Sequence, residues 1–189
     1  MRDSLTIEKR PPNPVWLAIP LTLFALISLT VGFVASRTTP QPYPASYPIA
    51  FFSDALHMKV WLASIALVLS FFQLLTAARI YELLRFPPPG RFYHIVHRWS
   101  GRMAIAFTLP VAYHCIFLLG FGTYDLRVYI HSILGSTIYG TFVAKVLLVR
   151  SPRYPGWAVP VAGGVLFATI LGLWLTSAAW FLSNNPISL

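Results

Sequence analysis

Five long apolar runs constrain this chain more than any other feature. They cover roughly 15–35, 56–77, 103–121, 128–149 and 157–182, each close to the ~20 residues that cross a hydrocarbon core as a helix. Hydrocarbon offers no partner to a free backbone N–H or C=O, so runs of this kind span as helices. Only 10% of the residues are charged, against about 25% in soluble domains, which is too few to build a water-facing surface. The expected fold is therefore all-α, an integral membrane bundle of five transmembrane helices. A single membrane domain takes up residues 1–189, with a cytoplasmic segment at 1–14 and helices near 15–36, 54–84, 95–121, 127–149 and 157–182.

The formal charge of +9 is distributed as topology rather than as a nucleic-acid surface. Arg2, Lys9 and Arg10 precede the first run. Arg79, Arg85, Arg91, Arg98 and Arg102 surround the second connection, and Lys145, Arg150 and Arg153 the fourth. Only Arg37, Lys59 and Arg127 are left for the other side. Basic residues on alternate connections put the N-terminus in the cytoplasm and the C-terminus outside. The expected location is the cytoplasmic (inner) membrane of a bacterium, with the bilayer as first partner and no nucleic acid. Val34-Ala35-Ser36 resembles an export cleavage site, but the preceding apolar core of about 20 residues exceeds the 7–15 of a signal peptide, so the first helix is retained. One cysteine, Cys115, excludes an internal disulfide.

Proline punctuates the connections. Pro40, Pro42 and Pro44 give the first an extended course, and Pro87-Pro88-Pro89-Gly90 breaks the chain after the second helix. Gly120-Phe121-Gly122 forms a tight turn, which predicts that helices three and four are antiparallel neighbours. The aromatic loop with Tyr43, Tyr47, Phe51 and Phe52, together with Trp157, Trp174 and Trp180, reads as interfacial belts.

An ionisable residue inside a membrane is a functional candidate by default, and there are five histidines. At about 1.5 Å per residue, His57, His114 and His131 share an outer level, while His94 and His97 lie at the cytoplasmic start of helix three. Imidazole is an axial ligand of haem iron, and bundles build such sites from facing helices. In an up-and-down bundle helices two and four are diagonal, so His57 and His131 are the preferred pair, with His114 as the alternative ligand. Gly135 and Gly140 follow His131 on its helix and leave room for a flat macrocycle edge. Lys59 and Arg127 are the nearby cations for haem propionates. His94 and His97 read as interfacial polar residues beside Arg98 and Arg102, and Cys115 as packing.

Three segments carry a family resemblance. Ile130-His131-Ser132-Ile133-Leu134-Gly135 resembles the His-Ser-x-Leu-Gly segment of the cytochrome b561 family. Leu56-His57, continuing to Phe72-Gln73-Leu74-Leu75 and Arg79-Ile80-Tyr81, is similar to the preceding ligand helix. His94-Ile95-Val96-His97 with Gly101-Arg102 is similar to the paired-histidine start of the intervening helix. The string His97-Arg98-x-x-Gly101-Arg102 also resembles ferric-reductase-like membrane proteins. The likeness covers about residues 53 to 182 and implies that helices two to five form a four-helix haem-binding core. The family's second haem takes a further ligand from the last helix, which has no histidine here.

The expectation is thus one haem b, iron-ligated by His57 and His131 on the outer side, with no second haem near His97. Such a protein is a membrane b-type cytochrome, an electron-transfer subunit beside a redox partner protein or a quinone. The competing expectation is a non-enzymatic anchor or assembly subunit of a respiratory or photosynthetic complex, with structural or pigment-binding histidines. A transporter is disfavoured, because helices two to five lack a mid-membrane carboxylate.

Overall fold

A computed structural model describes residues 14–40, 52–88 and 90–185. The expected N-terminal cytoplasmic segment and most of the proline-rich first connection, with Tyr43, Tyr47 and Phe51, lie outside the described residues. The described residues are helical, with no strand among them. A 3-10 turn, Pro14–Leu17, leads into α1 (Ala18–Arg37). Then follow α2 (Ala55–Ile80), α3 (Arg91–His114), α4 (Leu126–Arg150), α5 (Ala158–Trp174) and the short α6 (Trp180–Asn184). A π turn, Cys115–Leu119, extends α3, and a second, Leu175–Ala179, joins α5 to α6.

Five spans, Pro14–Arg37, Ala55–Ile80, Arg91–Leu119, Leu126–Arg150 and Ala158–Asn184, are long and apolar enough to cross a bilayer. The shortest has 24 residues, about 36 Å at 1.5 Å per residue, against a core of about 30 Å. Leu29, Phe33, Trp61, Val68, Leu75 and Trp99 are exposed on outward faces, as expected where lipid rather than water is the solvent. The chain is an integral membrane protein.

Local chemistry sets the helix ends. Asp54 caps α2 by accepting from the N–H groups of Leu56 and His57 at 2.8 and 2.9 Å. The His57 N–H bond is the main cause that holds this carboxyl below its usual value of 3.8. α2 stops at Ile80, short of the expected 84, because Glu82 takes φ 58° and turns the chain. Arg79 stabilises that turn from inside. It is 4% exposed, and it donates to the carbonyls of Pro87 and Leu84, with its guanidinium 6.0 Å from the Tyr93 ring centroid. α3 starts four residues before the expected 95. Pro110 removes a backbone donor from its interior, and the helix widens into the π turn one turn later.

Helices α2 to α5 form a bundle in the spatial order α3, α2, α5, α4. Among the described residues α2 and α4 share no substantial contact, nor do α3 and α5, so these are the two diagonals. One expectation is refined: α3 and α4 close the ring and touch through side chains, with Thr108 Oγ1 3.2 Å from Tyr139 OH, but their backbones stay further apart than those of the other adjacent pairs. α1 lies against α4 and the Cys115–Leu119 turn, and the Phe121 N–H donates to the Ala35 carbonyl at 3.0 Å. Gly120, at φ +71°, faces this end of α1, where a Cβ would lie 2.7 Å from the Thr38 carbonyl oxygen.

Gly140 is corrected with it. A Cβ there would lie 2.5 Å from Ser28 Oγ and 2.6 Å from the Phe24 carbonyl oxygen, so the glycine serves close packing of α1 on α4, not a macrocycle edge. Small residues do this work in membranes, where no hydrophobic effect drives helices together. Gly140→Val is expected to cost about 1–3 kcal/mol by overpacking, seen as a lower unfolding midpoint in detergent. An unchanged midpoint would mean that α1 packs elsewhere.

A cluster of Leu67, Ile105, Ile138, Leu166 and Ile170 fills the middle of the bundle. Trp174 Nε1 donates to Ser64 Oγ at 3.0 Å and ties α5 to α2. This cluster separates two cavities, one in the arginine-rich half and one in the half that carries Asp54 and Asp125.

Candidate functional site

The half bearing Asp54 and Asp125 holds most of the residues singled out in the sequence. His131 is half-buried and lines a cavity of about 100 Å³ with Cys115, Gly135, Tyr139, Trp174 and Ser177. Its Nδ1 lies 3.0 Å from Thr176 Oγ1. That hydroxyl donates its one proton to the carbonyls of Gly172 and Leu173, at 2.7 and 3.2 Å. The imidazole must therefore be the donor, which leaves the lone pair on Nε2. Gly135 also lines this cavity, and a Cβ there would be in ordinary contact with Leu173 Cδ2 at 3.8 Å. Arg127 donates to the Thr176 carbonyl at 2.5 Å, pairs with Asp125 at 3.6 Å and lies 4.1 Å from the Trp180 ring centroid. Both π turns contribute to this cavity, Cys115 and Ile116 from one and Ser177 from the other. Such turns recur at functional sites, and no residue pattern announced them.

His57 does not join His131. Its Nδ1 folds back onto the helix cap, 2.5 Å from Asp54 Oδ2, and its ring stands edge-on to Phe181 at 5.6 Å. The side chain is half exposed and is not part of the cavity wall. The two helices are diagonal as expected, but the expected clamp of His57 and His131 around one macrocycle is not assembled. The cap carboxylate draws the first imidazole outward. His114 is 2% exposed and lines neither cavity. Lys59 lies within electrostatic range of both His114 and His131.

The arginine-rich half contains the larger space, about 720 Å³, walled by all four bundle helices. His97 lines it from α3, and Thr76 Oγ1 lies 2.8 Å from its Nδ1. Thr76 spends its hydroxyl proton on the carbonyls of Phe72 and Gln73, at 2.9 and 3.1 Å. His97 is therefore also the Nδ1–H tautomer, with its lone pair on Nε2. Gln73 fixes the backbone beneath it, donating to the His97 carbonyl at 2.5 Å and to Ser100 Oγ at 2.6 Å. Gly101 lets the two helices approach this closely, since a Cβ there would lie 2.9 Å from Gln73 Oε1.

Arg91, His94, Arg98 and Lys145 complete the polar part of this wall, which contains no carboxylate. Leu74, Phe142, Leu166 and Phe167 form the apolar part, and Gly163 and Gly164 line the α5 side. Lys145 lies within electrostatic range of His97. Thr76 and Lys145 were missed as site residues. Nothing in sequence pairs Thr76 with a histidine 21 positions away. The depth of Lys145, five residues before the end of α4, was a usable signal that its role in the charge pattern concealed.

Cofactor sites typically occupy about 300–1,000 Å³. The larger cavity falls in that range and the smaller does not. Among the described residues no three His, Cys, Asp or Glu side chains converge, so a bare metal ion finds no donor set. A haem needs only one or two protein donors and countercharges for its carboxylates. His97, Arg91 and Arg98 supply these around a space of adequate size, so the residues of the larger cavity fit the group.

A protein-family match covers residues 17–189, almost the whole chain. The chain belongs to the DUF6529 family. DUF6529 is described as a family of unknown function, so membership groups this chain with others of its kind without assigning chemistry. No curated protein and no solved structure matches the DUF6529 chain.

Proposed function

We propose that this protein is a b-type haem protein of the membrane that exchanges single electrons, with His97 as the residue that would hold the haem iron in the larger cavity. The observation that carries the proposal is the 720 Å³ cavity with His97 in its wall, its Nδ1 held by Thr76 at 2.8 Å. Ligating histidines usually have their second nitrogen bonded in this way, which fixes ring orientation and tautomer. The bound haem supplies the one-electron couple. The chain's own groups do the rest: Thr76 orients the imidazole, Arg91 and Arg98 oppose propionates, and Leu74, Phe142 and Phe167 exclude water.

The positive-inside pattern turns the arginine-rich end toward the cytoplasm, so this site lies on that side of a bacterial inner membrane. A single site near one face does not bridge about 30 Å of hydrocarbon. Donor and acceptor therefore both reach it from the cytoplasmic half, as a quinone within the bilayer or as a redox partner protein. The sequence expectation of a haem between His57 and His131 has less support, given the 100 Å³ of space beside His131 and the outward course of His57.

The test is a dithionite-reduced minus oxidised spectrum of the detergent-purified chain, with pyridine haemochrome quantification. About one haem b per chain is the expected result. Its absence, in protein from cells well supplied with haem, overturns the proposal. The absence of a histidine from the α5 wall opposite His97 favours one second reading, a pigment-binding subunit of a larger complex, in which one histidine holds each macrocycle. An extracted magnesium macrocycle in place of haem would select it.

A further inference from the structure

Lys145 is a costly residue where it stands. An ammonium at bilayer depth is costly to insert, most of all at the helix centre. Lysines near helix ends commonly evade that cost by reaching outward to the headgroups. Lys145 does not. It lies five residues before the end of α4, and its side chain crosses to α5, where Cε and Nζ both lie 3.8 Å from a Cβ built at Gly163. Gly163 is itself the sixth residue of α5, so the ammonium sits inside the bundle at the cavity wall. The ion pairs among the described residues are His57 with Asp54 and Arg127 with Asp125, and Lys145 takes part in neither.

The wall that faces His97 explains what such a charge can serve. α3 and α5 are diagonal, so the α5 surface lies across the cavity from the imidazole. Its lining residues, among them Pro160, Gly163, Gly164 and Phe167, offer no side-chain donor to a metal. A Cβ at Gly164 would meet nothing within 4 Å, so this wall also leaves room. His94, the other histidine in the lining, is three residues from His97 on the same helix and cannot reach the opposite face of a macrocycle.

We infer that the larger cavity, if it holds haem as proposed above, is a one-imidazole site that takes a small inorganic anion as second ligand, with the Lys145 ammonium as its charged hydrogen-bond donor. The inference rests on the haem reading and adds to it. The protein then handles a small anionic substrate or inhibitor at the iron, beyond passing electrons.

The experiment is an azide titration of the oxidised, haem-loaded full chain, followed by absorption and electron paramagnetic resonance. The parent is expected to be high-spin without azide and to turn low-spin as azide binds. Lys145→Met should retain haem but bind azide roughly tenfold or more weakly, the loss of one charge-assisted hydrogen bond. Lys145→Gln keeps a neutral donor and should fall between the two. A parent that is low-spin before azide and unmoved by it overturns the inference while leaving the haem reading intact, as does equal azide affinity in parent and Lys145→Met. Purification without haem overturns the haem reading itself, so the two failures are distinguishable.

Discussion

His97→Ala is expected to lower haem content per chain by about tenfold or more, whereas His57→Ala and His131→Ala leave it within about twofold of the parent. Even a group that only orients a metal ligand typically carries about 10–100-fold in affinity, and His97 is proposed as the ligand itself. Thr76→Val supplies the internal control. It keeps the imidazole but removes the oxygen that accepts from Nδ1 at 2.8 Å, so haem should remain with weakened retention and an altered potential. The measurement is haemochrome content against protein, with circular dichroism to establish that each variant is helical. The opposite pattern, loss in His57→Ala and His131→Ala with full retention in His97→Ala, would move the site to the other half of the bundle. It would also restore the pairing expected from sequence.

The second large effect is structural. Arg79→Ala should destabilise the bundle by about 2–4 kcal/mol, because it removes two bonds from a charged donor, which are worth more than neutral ones, and empties an almost fully buried site. Arg79 is almost fully buried and holds the carbonyls of Leu84 and Pro87 from the last turn of α2, where a cation also complements the helix dipole. Without it the connection to α3 is released, and with it the register that sets His97 against Thr76. Arg79→Lys should rescue little, since one ammonium does not reproduce a planar fork that serves two carbonyls and stacks near Tyr93. The check is the apparent unfolding temperature in detergent, expected to fall by several degrees in both variants. A midpoint equal to the parent's would show the arginine to be dispensable for the turn.

These two residues mark how unevenly the molecule could be read. Arg79 entered the sequence analysis as one of several basic residues flanking a connection, and its burial against the following loop depends on a turn at Glu82 that no sequence pattern encodes. His97 read as interfacial because helix five has no histidine. Its credentials come from Thr76 and Gln73, which reach it from another helix. His57 failed in the opposite sense. Leu56-His57 opens α2 as expected, but the same first turn is capped by Asp54, and the cap carboxylate takes the imidazole. Gly135 lines the smaller cavity, whereas Gly140 faces α1.

The five spans were legible in sequence because hydrocarbon imposes a requirement on every residue along a helix: long apolar runs, satisfied backbones and charges confined to the ends. That requirement acts locally, so it leaves a local trace. The spatial order of the helices, the packing of α1 against α4, and the size of each cavity were decided only in three dimensions. They depend on which small residues meet across helices and which hydroxyl meets which imidazole. Such pairings join residues far apart in the chain, and in lipid every face of these helices is nearly as apolar as the next, so periodicity does not reveal which one turns inward.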